Sequence, residues 1–117
     1  NIQKLILCSG KIFIDCVHKN SSLILKNSVL IRFEQLYPFP EKNFKDIISK
    51  YKNIKKVIWL QEEPKNRGAW PYIRDIISPI FKNLKYIGRN TTPSAASGSS
   101  LVHKLQQQKI FDEVIKE

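Results

Sequence analysis

The chain has 117 residues, of which 42% are hydrophobic and 10% aromatic, and its 20 Lys plus Arg against 10 Asp plus Glu give a net charge of +10. This composition can build the core of one folded domain over residues 1–117 and excludes a disordered tail. No apolar run reaches the roughly 18 residues of a membrane helix, and the first residues lead directly into a strand pattern, so we expect no membrane span, signal peptide or transit peptide.

The positive charge is spread along the chain. Nucleic-acid binding requires that the charge be gathered on one face or helix, with aromatic residues between for single strands. Here lysines interrupt nearly every predicted element, and the abundance of Lys, Ile and Asn is the residue usage that an AT-rich genome imposes. We therefore expect solvated charged faces and no nucleic-acid partner.

Strand and helix patterns alternate in the first half of the chain. An apolar run over 4–8 predicts a strand, and Ser9 and Gly10 can then cap and turn the chain into a helix over 11–19. A polar connection follows, and residues 28–34 predict a second strand.

The middle of the chain repeats the alternation. Prolines in the segment 35–40 prevent an early helix. The next helix has an apolar face at a spacing of i, i+3, i+4 and i+7, and residues 55–61 predict the third strand. That face comprises Phe44, Ile47, Ile48 and Tyr51.

A fourth helix is predicted to open at 68–71, where proline is tolerated in the first turn, and to kink or end near Pro79. Residues 84–87 predict a short strand, and 88–98 a loop. Ser99 or Ser100 can cap the last helix. The predicted buried faces are Ile73, Ile76, Ile77 and Ile80 for the fourth helix and Leu101, Leu105, Phe111 and Ile115 for the last one.

Strands that are joined by helices must mostly run parallel, with right-handed crossovers. The pattern therefore predicts an α/β fold, a three-layer sandwich around a mostly parallel sheet of four or five strands. We find no internal repeat and no domain boundary.

The stretch 57–70 is the predicted working edge, because ligands and partners meet α/β sheets at the carboxyl ends of strands. Its apolar run ends in Glu62, Glu63 and a proline. Neighbouring residues of an extended chain point to opposite sides, so the two carboxylates have different surroundings. A charged loop that caps the next helix or pairs with Arg67 is favoured over an acid/base pair.

Other candidate groups are weaker. For Ser9, a helix-capping role is favoured over phosphate binding. Arg89 with the polar residues 90–92 resembles a binding site for an anion. Ser9, Arg89 and Ser94 form a possible anion or effector site. His18 and His103 are predicted to lie on the surface without a metal or catalytic role.

The two cysteines have no spacing typical of zinc ligands. Cys8 lies in a predicted strand, where buried thiols are common. We predict that Cys8 and Cys16 are inert free thiols, as in a reducing compartment.

Aromatic residues are concentrated beside the carboxyl ends of two strands. Exposed apolar area of this size is unusual on a monomer, and Trp and Tyr are typical interface anchors. We therefore predict that another part of a larger protein covers this edge. The predicted interface consists of Tyr37, Phe39, Glu62, Glu63, Arg67, Trp70 and Tyr72.

Five phrases carry a resemblance over nearly the whole chain. They are LCSGK (7–11), IRFEQLYPFP (31–40), IWLQEEPKNRGAW (58–70), YIGR (86–89) and VHKLQQQ (102–108). In order and spacing they resemble the C-terminal domain of the dehydrogenase component of the 2-oxoglutarate dehydrogenase complex. EQLYPFP together with QEEPKNRGAW is highly specific.

The resemblance implies a transketolase-type C-terminal domain of a homodimeric oxidoreductase that depends on thiamine diphosphate. Such an enzyme decarboxylates 2-oxoglutarate in the citric acid cycle and passes the succinyl group to the lipoyl arm of dihydrolipoyl succinyltransferase. In this family other domains hold thiamine diphosphate and Mg²⁺, so the resemblance implies no catalytic, cofactor-binding or metal-binding residue in this chain.

The resemblance also implies the partners: the upstream domains of the same chain, the second subunit and the succinyltransferase. The GAW ending of the third phrase resembles bacterial more than mitochondrial members, so we expect the cytoplasm rather than the mitochondrial matrix.

Three hypotheses follow. The main one is a structural domain that completes a homodimer, with Glu62 and Arg67 holding the loop against a neighbouring domain and Trp70 filling a pocket there. The alternatives are a regulatory module that binds an anionic nucleotide or acyl-CoA, and a basic nucleic-acid-binding domain.

Overall fold

The computed structural model describes residues 2–18, 21–89 and 100–117. These residues form a strand β1, two helices, and then strands that alternate with helices up to a long last helix. The elements are β1 (Lys4–Cys8), α1 (Ile12–His18), α2 (Ser21–Ile24), β2 (Ser28–Arg32), α3 (Glu41–Ile48), β3 (Lys56–Pro64), α4 (Trp70–Ile77), β4 (Leu84–Arg89) and α5 (Ser100–Lys116).

The four strands form one parallel sheet in the order β2-β1-β3-β4. The central strands are nearly continuous apolar runs, because helices cover both faces of the sheet. Every residue of β1 is buried. The predicted three-layer α/β sandwich around a mostly parallel sheet of four or five strands is confirmed, with four parallel strands in the described residues.

Two apolar cores lie on opposite faces of the sheet. One core packs α1, α2 and α5 against Ile6, Cys8, Ile58, Leu60 and Ile87. The other packs α3 and α4 against Leu5, Leu7, Val57 and Trp59, together with Phe33 from the connection after β2. Alternate residues of β1 and β3 therefore serve different layers, as the pleat of a strand requires.

Three lysines from neighbouring strands hold the last turn of α5. The ammonium group of Lys4 donates to the carbonyl oxygen of Val114 at 3.0 Å, and that of Lys56 donates to the carbonyl oxygen of Glu117 at 3.0 Å. The Glu117 carboxylate pairs with Lys56 and Lys85. Positive charge at a helix carboxyl end satisfies free carbonyl groups and complements the helix dipole.

The predicted strands and helices are all present, with shifted boundaries, whereas most of the loop predicted at 88–98 and the cap candidate Ser99 lie outside the described residues. The helix predicted over 11–19 is α1, with Ile12 and Cys16 buried as expected. In the connection after it, residues 21–24 form the short helix α2. The helix after Gly68 ends at Ile77, before Pro79.

The predicted inward face of α5 is wrong at its amino end. Leu101 and Leu105 are 65% and 62% exposed, whereas Ile110, Phe111 and Val114 are buried. Among the α5 side chains that the structure describes, burial begins at the polar Gln107, so the helix covers the sheet from that residue onward. Of the described helices, none has the length and apolar character needed to cross a membrane.

Candidate functional site

The site is built on the carboxyl end of β3, which continues three residues beyond its predicted end at residue 61. Glu62 and Glu63 lie in the strand, and Pro64 pairs with Arg89 of β4 after a register shift. The backbone N–H of Lys65 donates to the carbonyl oxygen of Arg89 at 3.1 Å. The predicted charged loop at 62–64 is therefore wrong, because β3 continues through both carboxylates and pairs again with β4 at Pro64.

Gln61 is the central residue of this edge, and it is only 3% exposed. Its side-chain oxygen accepts from the indole N–H of Trp59 at 2.8 Å and from the backbone N–H of Trp70 at 3.1 Å. Its amide nitrogen donates to the carbonyl oxygens of Glu63, Pro64 and Arg67 at 3.2, 3.0 and 2.9 Å. One buried carboxamide thus holds the whole turn between β3 and α4.

The turn closes at Gly68, which has a φ of +65°. A Cβ atom at Gly68 would lie 3.0 Å from Oε1 of Glu63 and 3.1 Å from Oε1 of Gln61. Both the backbone conformation and the space therefore require glycine. The tight turn brings the first amide of α4 onto the Gln61 oxygen.

Tyr86 of β4 braces the same turn. Its hydroxyl group is shared between the carbonyl oxygens of Glu63, at 3.0 Å, and Arg89, and its ring lies 5.4 Å from that of Trp70. Burial raises the pKa of Tyr86 to about 12. A Cβ atom at Gly88 would lie 2.5 Å from this hydroxyl oxygen, so Gly88 is needed for close approach.

Glu62 and Glu63 face opposite layers, as the extended strand predicts. The Glu62 carboxylate accepts from Nε2 of Gln107 on α5 at 2.7 Å, and the same nitrogen lies 3.3 Å from Oδ2 of Asp15 on α1. Glu62 is therefore held inside the domain by α5. The predicted pairing with Arg67 is not formed among the described residues, where Arg67 contributes its carbonyl oxygen to Gln61.

The aromatic residues differ in exposure from the prediction. Trp70 is 6% exposed and packs in the core with α3 and α4, so its expected exposure is wrong. Phe39 is half-buried against Phe33, at a ring distance of 5.2 Å. Tyr37 is 81% exposed, and the half-buried Tyr72 lies 6.2 Å from its ring.

The possible anion site is only partly described, since Ser94 and the polar residues 90–92 lie outside the described residues. Ser9 follows β1 and Arg89 ends β4, with β3 between them. Nη2 of Arg89 lies 2.7 Å from Nδ1 of His103 on α5. The structure therefore joins Arg89 to a histidine of the last helix rather than to Ser9.

The remaining candidates lie where they were expected. His18 and His103 are exposed. Cys8 and Cys16 are free and buried, and burial raises the pKa of each thiol to about 12. Within the described ranges, no three His, Cys, Asp or Glu side chains converge as metal ligands.

Sequence reasoning missed Gln61, Tyr86 and Gln107. A signal for Gln61 exists: residue 61 shares the inward side of its strand with Val57 and Trp59, so a polar group there must find partners. No comparable signal marks Gln107, whose Nε2 is placed between two carboxylates by packing of α5.

Fold and site together define a parallel α/β domain whose carboxyl edge is a braced turn with exposed tyrosine and carboxylate groups. The chain belongs to the 2-oxoglutarate dehydrogenase C-terminal family, whose profile matches residues 1–115. The fold is consistent with a transketolase-type C-terminal domain.

Curated relatives agree with this family. The chain is 42% identical over 130 residues to the 2-oxoglutarate dehydrogenase E1 component of Rickettsia prowazekii, covering 100% of this chain and 14% of the relative. It is 42% identical over 113 residues to the oxoglutarate dehydrogenase of Buchnera aphidicola, with coverages of 94% and 12%. For the E1 component of Azotobacter vinelandii the identity is 36% over 118 residues, with coverages of 96% and 12%. The chain thus spans about an eighth of the length of these relatives.

Proposed function

We propose that the chain is the C-terminal domain of a 2-oxoglutarate dehydrogenase E1 component and that it completes and stabilises the homodimer of that enzyme. The whole enzyme would oxidatively decarboxylate 2-oxoglutarate in the citric acid cycle and transfer the succinyl group to lipoyl groups of dihydrolipoyl succinyltransferase. We place it in the cytoplasm of a bacterium. Family membership over residues 1–115 supports this proposal.

The domain itself would perform no chemistry. The polar groups of its braced turn are already engaged, since the Gln61 carboxamide and the Tyr86 hydroxyl bind backbone carbonyl groups of the same turn. They do not fit a diphosphate or metal site. We therefore assign thiamine diphosphate and Mg²⁺, which supply the decarboxylation chemistry in this family, to the parts of the enzyme outside this chain.

One observation carries the structural role: Tyr37 is 81% exposed, and its ring lies 6.2 Å from that of Tyr72, on the helix that follows the braced turn. An aromatic side chain has few rotatable bonds, so it loses little entropy when a partner covers it. Tyr72, Glu63 and Arg67 lie at the same edge and complete the proposed contact surface. Trp70 and Glu62 support this surface from below, because their side chains contact the domain's own residues.

The test uses the full-length enzyme that contains this chain. Replacing Tyr37 with Ala should weaken the dimer by about 2 kcal/mol, which is typical of an aromatic anchor. Sedimentation velocity over a dilution series measures the dissociation constant. The control is Leu105→Ala, which removes another exposed apolar side chain, 62% exposed, on α5.

The two variants should differ clearly, since only Tyr37 lies at the proposed interface. Equal dissociation constants for Tyr37→Ala, Leu105→Ala and the unaltered enzyme would show that the carboxyl edge takes no part in the dimer contact. Turnover of 2-oxoglutarate by this chain alone would overturn the assignment of catalysis to the parts of the enzyme outside this chain.

A further inference from the structure

The parallel sheet gathers lysines that are dispersed in the sequence. All strands of a parallel sheet begin at the same edge. Lysines open β1 and β3, occupy the second position of β4 and precede β2 at position 26. Further lysines lie in the connections that lead into β3 and β4. We call the exposed residues Lys26, Lys50, Lys52, Lys55 and Lys82 the lysine edge.

Strand register shows that these connections meet in space. Lys4 pairs with Lys56, and Val57 pairs with Leu84, so the starts of β1, β3 and β4 are level. A cleft of about 340 Å³ at the same edge has a partly apolar lining, which comprises Lys55, Lys56, Ile58, Asn83, Leu84, Lys85 and Glu117. Composition explains how many lysines the chain has, but it does not explain their collection at one edge.

The fold neutralises only part of this charge. Glu117 pairs with Lys56 and Lys85, and these pairs hold the last turn of α5. Among the residues that the structure describes, no carboxylate pairs with any member of the lysine edge. The neighbouring helices offer Asp46 on α3, Asp75 on α4, and Asp112 and Glu113 on α5; Asp75 already pairs with Arg74, and Asp112 accepts from Gln108. Unneutralised like charges repel one another, so the lysine edge attracts an acidic partner.

The chemistry of this edge favours a protein partner. Planar guanidinium groups and aromatic rings that are free to stack are typical of nucleic-acid sites. Arg32 and Arg89 end strands at the opposite edge, and Arg74 on α4 pairs with Asp75. The aromatic residues that flank the lysines, Tyr51 and Phe81, pack against the core. Membrane binding needs apolar side chains that insert beside the charges. The large exposed apolar residues of the described chain, Ile14, Val17, Tyr37, Leu101 and Leu105, all lie elsewhere.

We propose that the lysine edge binds an acidic surface of another protein component of the assembly in which this enzyme works. The proposal rests on the proposed function, because the relatives are named as one component among others. Exposed lysines act as point charges that steer association and are screened by salt. The contact is therefore fast and strongly dependent on ionic strength.

The test measures binding of a fluorescent glutamate-rich peptide to the full-length enzyme by anisotropy at several salt concentrations. One variant carries Lys50→Gln, Lys52→Gln and Lys82→Gln. The matched control carries Lys42→Gln, Lys104→Gln and Lys109→Gln, which remove the same charge from exposed positions outside the lysine edge. The edge variant should bind about tenfold more weakly than the unaltered enzyme, and the control less than twofold.

Three results would overturn the proposal: equal losses in the two triple variants, absence of peptide binding at low salt, or tighter binding of an oligonucleotide of the same charge. Binding to anionic lipid vesicles in preference to the peptide would do so as well. The dimer dissociation constant is measured on the same samples. It reports separately on the proposed function, since the dimer contact is assigned to the opposite edge of the sheet.

Discussion

The side-chain oxygen of Gln61 lies 2.8 Å from the indole nitrogen of Trp59, two residues earlier on the same face of β3. Trp59 is 1% exposed, so the carboxamide that organises the turn is itself anchored in the core between the sheet and α3 and α4. The turn is therefore a continuation of the core rather than a surface loop.

Replacing Gln61 with Leu should lower the free energy of unfolding by about 3 kcal/mol. The change removes the acceptor of the Trp59 indole and of the Trp70 backbone N–H and the donor to the carbonyl oxygen of Arg67, and unsatisfied buried groups are expensive. Urea denaturation measures the effect. Gln106→Leu is the control, because Gln106 is exposed on α5, and it should change stability by less than about 0.5 kcal/mol.

Replacing Gln61 with Glu should make stability depend on pH in a definite direction. Burial raises the pKa of a carboxyl group, so the folded-state pKa would lie above the unfolded value of about 4.3. The variant should be most stable, relative to the unaltered chain, below the unfolded pKa, and should lose stability as the pH rises through the folded pKa. A constant difference between the two chains from pH 4 to 8 would contradict the burial of this side chain.

Replacing each glycine of this edge with alanine should lower stability in the order of the steric contacts that the new Cβ atom would make. Gly88→Ala should cost most, because its Cβ would lie 2.6 Å from the backbone oxygen of Gln61, which has no freedom to move. Gly68→Ala combines a positive φ with contacts at 3.0 and 3.1 Å. Gly10→Ala has a φ of +82° in open space and should cost about 1–2 kcal/mol. Thermal unfolding of the three variants checks the order.

Trp70 and Tyr37 should respond in opposite ways. Trp70→Ala removes a buried side chain and should destabilise the domain by about 3–5 kcal/mol. Tyr37→Ala removes an exposed one and should change unfolding by less than about 1 kcal/mol, while it weakens the dimer. Parallel measurement of urea unfolding and sedimentation separates the two effects.

The hydroxyl group of Tyr86 should ionise at a higher pH than that of an ordinary tyrosine. Absorbance titration of the chain, with Tyr86→Phe subtracted, should give a transition near pH 12, because burial holds the pKa of Tyr86 at about 12. Since the folded pKa is raised, the contribution of Tyr86 to stability is present below its unfolded pKa of about 10 and is lost as the pH rises toward 12. A transition near pH 10 would show that the hydroxyl is not buried against the turn.

Cys8 and Cys16 should resist thiol reagents in the folded chain. Burial raises the pKa of both thiols to about 12, so almost no thiolate is present at pH 8. Reaction with a disulfide reagent should follow unfolding, and in urea it should become fast. Ser22→Cys places a thiol at an exposed position of α2 and should react at once in folded protein.

Sequence patterns were sufficient for the sheet and its layers. Buried parallel strands are short apolar runs, and the runs at 4–8 and 57–60 have no competing helical spacing. The end of β3 was less predictable. Glu62, Glu63 and Pro64 have the composition of a loop, and only the position of Gln61 and the pairing with β4 show that the strand continues.

The last helix shows a second limit. Leu101 and Leu105 have the spacing of a buried face, but both are exposed, and the buried side chains described in α5 begin at Gln107. Gln107 is buried because Glu62 and Asp15 accept its amide hydrogens. Both facts depend on which part of α5 contacts the sheet, and local residue spacing contains no information about that contact.

The three consecutive residues Gln61, Glu62 and Glu63 send their side chains alternately to the α4 side, the α5 side and the α4 side again. Deletion of one residue from β3 before them would reverse the side of the sheet to which each of these side chains points. The carboxamide would then face α5, and a carboxylate would take its place on the α4 side. The turn between β3 and α4 would therefore lose the amide donor of Gln61. This short peptide therefore tolerates substitution at its exposed carboxylate far better than any change in its length.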